Sequence, residues 1–319
     1  MTDIDGLLLI PHLRVQNANA ISGPLSWGFP SPTAFLGFAH ALERKLRDDW
    51  EVQFTGVAIV CHRFDPLTTQ PNRRRHQVFN LMRHPVRAGY KKWQDKDAAL
   101  IEEGRAHMEI SLLLETEGDF DDEPDEFLEM VSETVQGMRL AGGSILPMRD
   151  STNRPVWQPW WDDESDNLEA FRKLRRRLLP GFALVHRPDL LAERLDELRE
   201  QNPDANALDA LIDLSALHVE PATDEQGQAH WQYHRPPGWI VPLPIGYSGL
   251  SELYPPGQVA HARDGETPFR FVESLYSLGQ WISPHRIHHP GHLMWRYQTD
   301  EPNGLYLCAN DYATTLNKE

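Results

Sequence analysis

Hydrophobic positions in the N-terminal half fall into two periods. Residues 6–16 form a nearly unbroken apolar run suited to a first strand. Phe35, Phe38, Leu42 and Leu46 then recur at helical spacing. The stretch leading into them is punctuated as a helix start: Ser31 can cap it, and Pro32 suits the first helical position, where no backbone donor is needed. Residues 51–62 read as a second strand. Residues 107–114 alternate, with Met108, Ile110, Leu112 and Leu114 on one face and His107, Glu109 and Ser111 on the other. Phe127, Val131, Val135 and Met138 predict a second helix, and residues 144–146 begin a fourth strand. The order strand, helix, strand, strand, helix, strand predicts an α+β fold with a ferredoxin-like core, an antiparallel sheet with both helices on one face. The connection over residues 63–105 is long enough to have a task or a structure of its own.

The second half patterns less regularly. A basic helical stretch covers residues 170–179, a strand residues 182–185, and helices residues 190–198 and 208–217. A Pro/Gly-rich extended stretch follows. The pattern then predicts a further helix, with Thr267 as cap, Pro268 at its first position, and Val272 and Leu275 inward. The expected organisation is a core over residues 1–150, with an insertion at about 64–105, and an irregular helical and extended region over 151–319 packed on that core.

Charge changes this picture. The chain of 319 residues carries 31 Lys+Arg against 47 Asp+Glu, a net charge of −16, which argues against nucleic-acid binding driven by overall charge. The charges are sorted, however. Residues 71–92 hold Arg73, Arg74, Arg75, Arg83, Arg87, Lys91 and Lys92 and no acidic residue, with Phe79, Tyr90 and Trp93 interleaved or adjacent. Basic groups follow a phosphate backbone and aromatic faces stack unpaired bases, so the mixture suits single-stranded RNA; a solvated loop with incidental charge is the alternative. Arg172, Lys173, Arg175, Arg176 and Arg177 point in several directions on a helix and read as solvated. Residues 117–133 hold nine acidic residues and no basic one, a surface that repels RNA.

Arg139, Gly142 and Gly143 follow the second helix. Paired glycines let a backbone approach a ligand and present amides to phosphate, although such a pair also makes an ordinary turn. Asn17 and Asn19, near the end of the first strand, carry amides able to read base edges. Trp27 stands between a base-stacking and a core role, and the paired-aromatic motif of RNA-recognition sheets is absent. The two cysteines, Cys61 and Cys308, lie far apart with no CxxC, which indicates neither a disulfide framework nor a thiolate zinc site. The N-terminal apolar run is short and follows acidic residues, and no window approaches a membrane span, so a cytoplasmic chain is expected.

Fifteen histidines raise the question of catalysis. His285, His288, His289 and His292 are closely spaced, but Pro290 and Gly291 interrupt any helix that would align them. They read as a surface turn, and neither a metal nor another cofactor is expected. His107 beside Arg105, or His62 beside Arg63, could supply the base and the phosphate stabiliser of a metal-independent ribonuclease.

Eight stretches carry a resemblance: LRVQNANAISGPLSWGFPSPTAFLGFAHAL, VCHRF, EEGRAHMEISLLL, MRLAGGSILP, RRLLPGFALV, PGWIVPLPIGY, ETPFRFVESLYSLGQW and SPHR, running in order from residue 13 to residue 286. With them the chain resembles the family of the second Csy subunit of type I-F CRISPR complexes, in the Cas-five branch of the RAMP superfamily. The resemblance implies a ferredoxin-like (RRM-like) RAMP core whose glycine-rich loop corresponds to Gly142 and Gly143, with the long connection as a thumb-like extension. It implies a non-catalytic subunit that caps the 5′ handle of the guide RNA, pairs with the large subunit and contacts the first backbone subunit, and it leaves contact with target DNA open. The expected RNA-binding residues are Asn17, Asn19, Arg73, Arg74, Arg75, Arg83, Arg139, Gly142 and Gly143. The alternatives are an endoribonuclease that processes guide precursors and, favoured by the acidic total, a purely protein-interaction subunit.

Overall fold

Strand β1 (Gly6–Asn19) has apolar side chains on both faces because both faces are covered. The computed structural model describes residues 4–71, 77–85, 100–118, 124–148, 153–161, 163–224, 226–234, 238–262 and 264–316. Helix α1 (Pro32–Leu46) starts as its sequence dictates: the Ser31 hydroxyl accepts the Thr33 amide at 3.2 Å, and Phe35, Phe38, Leu42 and Leu46 are buried. Strand β2 (Gln53–Pro66) follows. The long connection contributes the short strands β3 (Thr68–Thr69), β4 (Val78–Phe79), β5 (Met82–Pro85) and β6 (Leu100–Glu103), paired as β3–β4 and β5–β6. Then come β7 (Arg105–Glu117), α2 (Pro124–Gln136), β8 (Arg139–Leu140) and β9 (Gly143–Ile145).

The sheet order β2-β7-β1-β9 is antiparallel throughout. With α1 and α2 this is the βαββαβ arrangement of a split βαβ plan. Both helices pack on one face. Phe35, Leu42, Phe127 and Val131 share a core with Leu8, Ile10, Val57, Ile59, Ile110 and Leu112. Each such side chain contributes about 1.5–3 kcal/mol through burial.

The second half is more regular than its sequence pattern predicts. Strand β10 (Val156–Pro159) pairs with β1, and α3 (Glu164–Arg176) covers the face away from α1, where Phe171 and Leu174 meet Leu7, Leu9, Val60 and Leu113. After β11 (Phe182–His186), α4 (Pro188–Gln201) and α5 (Ala207–Ser215) comes a separate hairpin of β12 (His218–Thr223) and β13 (Ala229–His234). Strands β14 (Ile240–Gly249), β15 (Val272–Ile282), β16 (Trp295–Asp300) and β17 (Leu305–Asn310) join the main sheet, and α6 (Tyr312–Leu316) follows. The helix expected after Thr267 is therefore strand β15. The signals read as a helix start belong to a turn, in which the Asp264 carboxylate accepts the Glu266 and Thr267 amides at 3.0 and 2.7 Å. The segment VESLYSLGQWI has strand partners on both sides, β14 and β11, and that pairing overrides its helical spacing.

The edge of β2 away from β7 serves two partners. It meets β16 at Val57↔Trp295 and β11 at Val60↔Ala183 and Cys61↔Phe182. The pairings β11–β15–β14–β17–β16 then close a hydrogen-bonded circuit of six strands, which removes exposed edges. Trp295, fully buried, donates its indole N–H to Leu184 O at 2.8 Å within this circuit.

Candidate RNA interface

Arg139, Gly142 and Gly143 form a tight hairpin. Between β8 and β9 the two turn residues, Ala141 and Gly142, have φ of 48° and 72°, the type I′ geometry that matches strand twist. Gly142 is exposed, whereas Gly143 is buried. A Cβ on Gly143 would lie 2.7 Å from Val15 Cγ1 and 2.8 Å from both Ala18 N and Gln16 O. The two glycines therefore do different work: Gly142 makes the turn, and Gly143 lets the hairpin lie directly on β1.

Beneath it β1 bulges. The register with β7 shifts between Val15 and Ala18, with Asn17 at φ 58°. Bulges re-aim the side chains around them. Asn17 is exposed, its amide donates to His107 Nδ1 at 3.1 Å, and its carbonyl accepts from Arg105 Nη1 at 3.3 Å. The Asn19 amide donates to Ala141 O at 2.8 Å, joining the strand end to the hairpin turn. The Asn19 carboxamide is committed locally: it donates to Ile21 O at 2.8 Å and accepts the Ile21 amide at 3.1 Å, so reading a base edge would require breaking that turn.

The hairpin, the N-terminal half of α1 and the loop over residues 21–31 enclose an open groove of about 480 Å³. Asn19, Ser31, Thr33, Gly37, Arg139 and Gly142 are among its lining residues. A Cβ on Gly37 would meet nothing within 4 Å, so glycine keeps the floor of the groove low. The positive end of the α1 dipole lies at this groove and favours anions, while the first amides are spent within the cap: position 32 is proline, the Thr33 N–H donates to Ser31 Oγ at 3.2 Å and the Ala34 N–H to Ser31 O at 3.0 Å. Arg139 is exposed and donates to Gly142 O at 2.6 Å, which holds a guanidinium over the turn. Arg105 stands behind the turn, its Nη1 3.8 Å from where a Gly142 Cβ would lie, and it is paired with Glu103 at 2.5 Å.

Three expected RNA-binding residues, Asn19, Arg139 and Gly142, thus line one groove. Asn17 is outside its lining, hydrogen-bonded to Arg105 behind the turn, and Gly143 supports the hairpin on β1. Arg73, Arg74 and Arg75 lie outside the described residues. Arg83 is placed by its backbone alone, opposite Glu102 in the β5–β6 pair. By its spacing Arg105 pairs with His107 as a nuclease candidate, and its nearness to the glycine turn comes only from the strand register. Trp27 stacks on Phe79 at 3.8 Å and 16°, so the long connection folds back against the loop before α1.

The histidines weighed for catalysis have structural partners. The His107 ring accepts the Asn17 amide. His62 uses both nitrogens: Nδ1 donates to Pro180 O and Nε2 accepts from the Ser111 hydroxyl, each at 2.7 Å, the tautomer fixed by a carbonyl that can only accept. Burial lowers the pKa of His62 and keeps the ring neutral, and His12 stacks on it at 4.2 Å. At the C-terminal turn, His285 Nδ1 meets the Ser283 hydroxyl and His289 Nδ1 accepts the Gly291 amide. Among the described residues, no three His, Cys, Asp or Glu side chains converge on a metal position.

A family model described as CRISPR-associated protein Csy2 matches residues 8–308. The CRISPR-associated protein Csy2 of Pseudomonas aeruginosa (strain UCBPP-PA14) is 48% identical over 318 residues, covering 96% of this chain and 95% of that protein. Matches of this extent leave little of either chain unaligned, and the chain belongs to the Csy2 family of CRISPR-associated proteins.

Proposed function

We propose that this chain is the non-catalytic RNA-binding subunit of a type I-F CRISPR surveillance complex. In this reading it caps the 5′ handle of the guide RNA, pairs with the large subunit and adjoins the first backbone subunit. The observation that carries the reading is the groove in which Arg139, the Ala141–Gly142 turn and the start of α1 face one space. A phosphate there meets a guanidinium, the positive end of a helix dipole and a backbone without side-chain bulk, the local means by which a chain of net charge −16 holds RNA. The acidic stretch over residues 117–133 repels RNA and suits a protein neighbour. Among the described residues no helix is long and apolar enough to cross a membrane. In this reading the complex works in the cytoplasm.

The test is co-expression of the chain with its complex partners and a guide precursor, followed by sequencing of the RNA that co-purifies. The expected product is a guide RNA with its 5′ handle protected from nuclease only when this chain is included. Equal protection without the chain overturns the reading. The purified chain is expected to leave the precursor intact with or without divalent metal, and cleavage that disappears in His107→Ala would make it an endoribonuclease.

A further inference from the structure

Six aromatic side chains from distant parts of the sequence converge without filling the space between them. Phe29, in the loop before α1, meets Trp281 of β15 edge-on at 4.9 Å and Phe64 of β2 at 5.7 Å, and it stacks on the core residue Phe35 at 5.5 Å. Trp239 lies 6.2 Å from Trp281 and meets Phe182 of β11 edge-on at 5.4 Å. Trp27 completes the wall, held by Phe79. The cavity left is about 410 Å³, within the roughly 300–1,000 Å³ span of small-ligand sites, and strands β2, β11, β14 and β15 of the six-strand circuit line it. At its rim Phe182 is 44% and Trp239 56% exposed. Packed aromatic clusters in a core have neither the void nor the open rim.

The wall is uncharged apart from one residue. Arg63 is its single Lys, Arg, Asp or Glu side chain, 70% exposed, with Nε held by Asp65 at 2.6 Å. Burial pushes the Cys61 thiol up to about 12, and His62 is neutral with both nitrogens occupied. Flat rings beside one cation match a flat, neutral ring on an anionic chain; a hydrophobic protein anchor would make no use of the guanidinium. The pocket and the groove have one loop, residues 21–31, in both of their walls. Ser22 and Pro30 of the loop line the groove while Ser26, Trp27 and Phe29 of the same loop line the pocket, and the Leu25 amide pins the loop to the Tyr276 hydroxyl at 3.0 Å.

We propose that this aromatic pocket takes one unstacked nucleobase of the RNA whose backbone lies in the Arg139–Gly142 groove, with Arg63 facing the adjoining phosphate. The proposal rests on the RNA-binding reading above. It adds a base-dependent contribution to a site otherwise built for the backbone, since stacking on aromatic faces is available to every base.

The experiment titrates the full chain, alone and with its partner subunit, with a single-stranded oligoribonucleotide and with an abasic ribose-phosphate strand of equal length. Trp239→Ala and Phe182→Ala remove rim rings without opening the core, and Arg139→Ala reports on the groove. Each rim variant is expected to lose about tenfold in affinity for the base-bearing strand and nothing for the abasic strand. Wild-type affinity in both rim variants, or an equal loss on both strands, overturns the proposal. If wild type binds both strands equally and Trp239→Ala instead weakens capture of the partner subunit, the pocket holds a protein side chain and the proposal falls. If the rim variants lose affinity while Arg139→Ala does not, the pocket stands and the groove reading fails. A wild-type chain that binds neither strand removes both.

Discussion

The two ends of β1 face opposite demands. Over residues 7–10 the strand is fully buried, one face against α1 and α2 and the other against α3 and the C-terminal strands. Over residues 16–19 it bulges, turns Asn17 to φ 58° and leaves Gln16 and Asn17 exposed beneath the glycine hairpin. The first end is held by apolar burial and one buried ion pair. The second is held by interrupted pairing with β7 and β9 and by hydrogen bonds to Ala141, His107 and Arg105. Rigidity at one end positions the backbone at the other, so in the proposed reading substitutions at the sealed end are expected to change stability and exposed substitutions at the bulged end to change RNA binding.

The largest effect is expected at the sealed end. Glu115, opposite Leu7 in the β1–β7 register, is 3% exposed and takes both carboxylate oxygens to Arg296 Nη2, at 2.7 and 2.6 Å. Burial raises its pKa in spite of that partner. Arg296→Ala strands the carboxylate and should cost about 3–5 kcal/mol in urea unfolding. The deficit should shrink as the pH is lowered and the carboxyl takes up a proton. A deficit that is small and independent of pH would mean the pair is not buried as described.

Next in size is a pH effect in the six-strand circuit. His186 is 6% exposed, its Nε2 lies 2.9 Å from the Ser277 hydroxyl, and burial lowers its pKa from 6.5 to about 4. The folded value lies below the unfolded one, so this stabilisation is fully present above about pH 6.5 and lost as the pH falls towards 4. It amounts to about 3 kcal/mol. His186→Gln should flatten the fall in unfolding free energy over that window, and an unchanged slope would contradict the assignment.

At the junction of the two ends, Gly143→Ala should lower stability by about 1–3 kcal/mol, because the new methyl meets the β1 backbone at Ala18 N and Gln16 O as well as the buried Val15 side chain. Thermal unfolding measures this. Wild-type stability would show that the hairpin does not press on β1.

The sequence made the first end legible. A cap at Ser31, a proline at position 32 and apolar residues at helical spacing admit one local structure, and α1 follows them. The alternation in residues 107–114 likewise set the faces of β7. The β15 segment was misread because helix start and strand turn share Asp, Thr and Pro, and the deciding partners, β11 and β14, are far away in the chain. The circuit around β2 and the aromatic pocket escaped for the same reason: Phe29, Phe64, Phe182 and Trp281 meet only once the register is fixed. In the groove, Arg139 and Gly142 could be found from their place after a helix. That Asn19 spends its carboxamide on Ile21, and that Gly143 faces β1, depends on distances no spacing reveals.

The most direct test of the bulged end as an RNA site is the salt dependence of handle-RNA affinity for the assembled chain and two variants, Arg139→Ala and Arg176→Ala. Arg139 is exposed and bonded only to its own turn, so its removal should leave stability within about 0.5 kcal/mol. It should flatten the slope of log affinity against log salt by about 0.7, the loss of one phosphate contact to a single strand. Arg176, exposed at the end of α3, should leave the slope unchanged. A slope that keeps its wild-type value in Arg139→Ala and flattens in Arg176→Ala would contradict the account and place the RNA on α3.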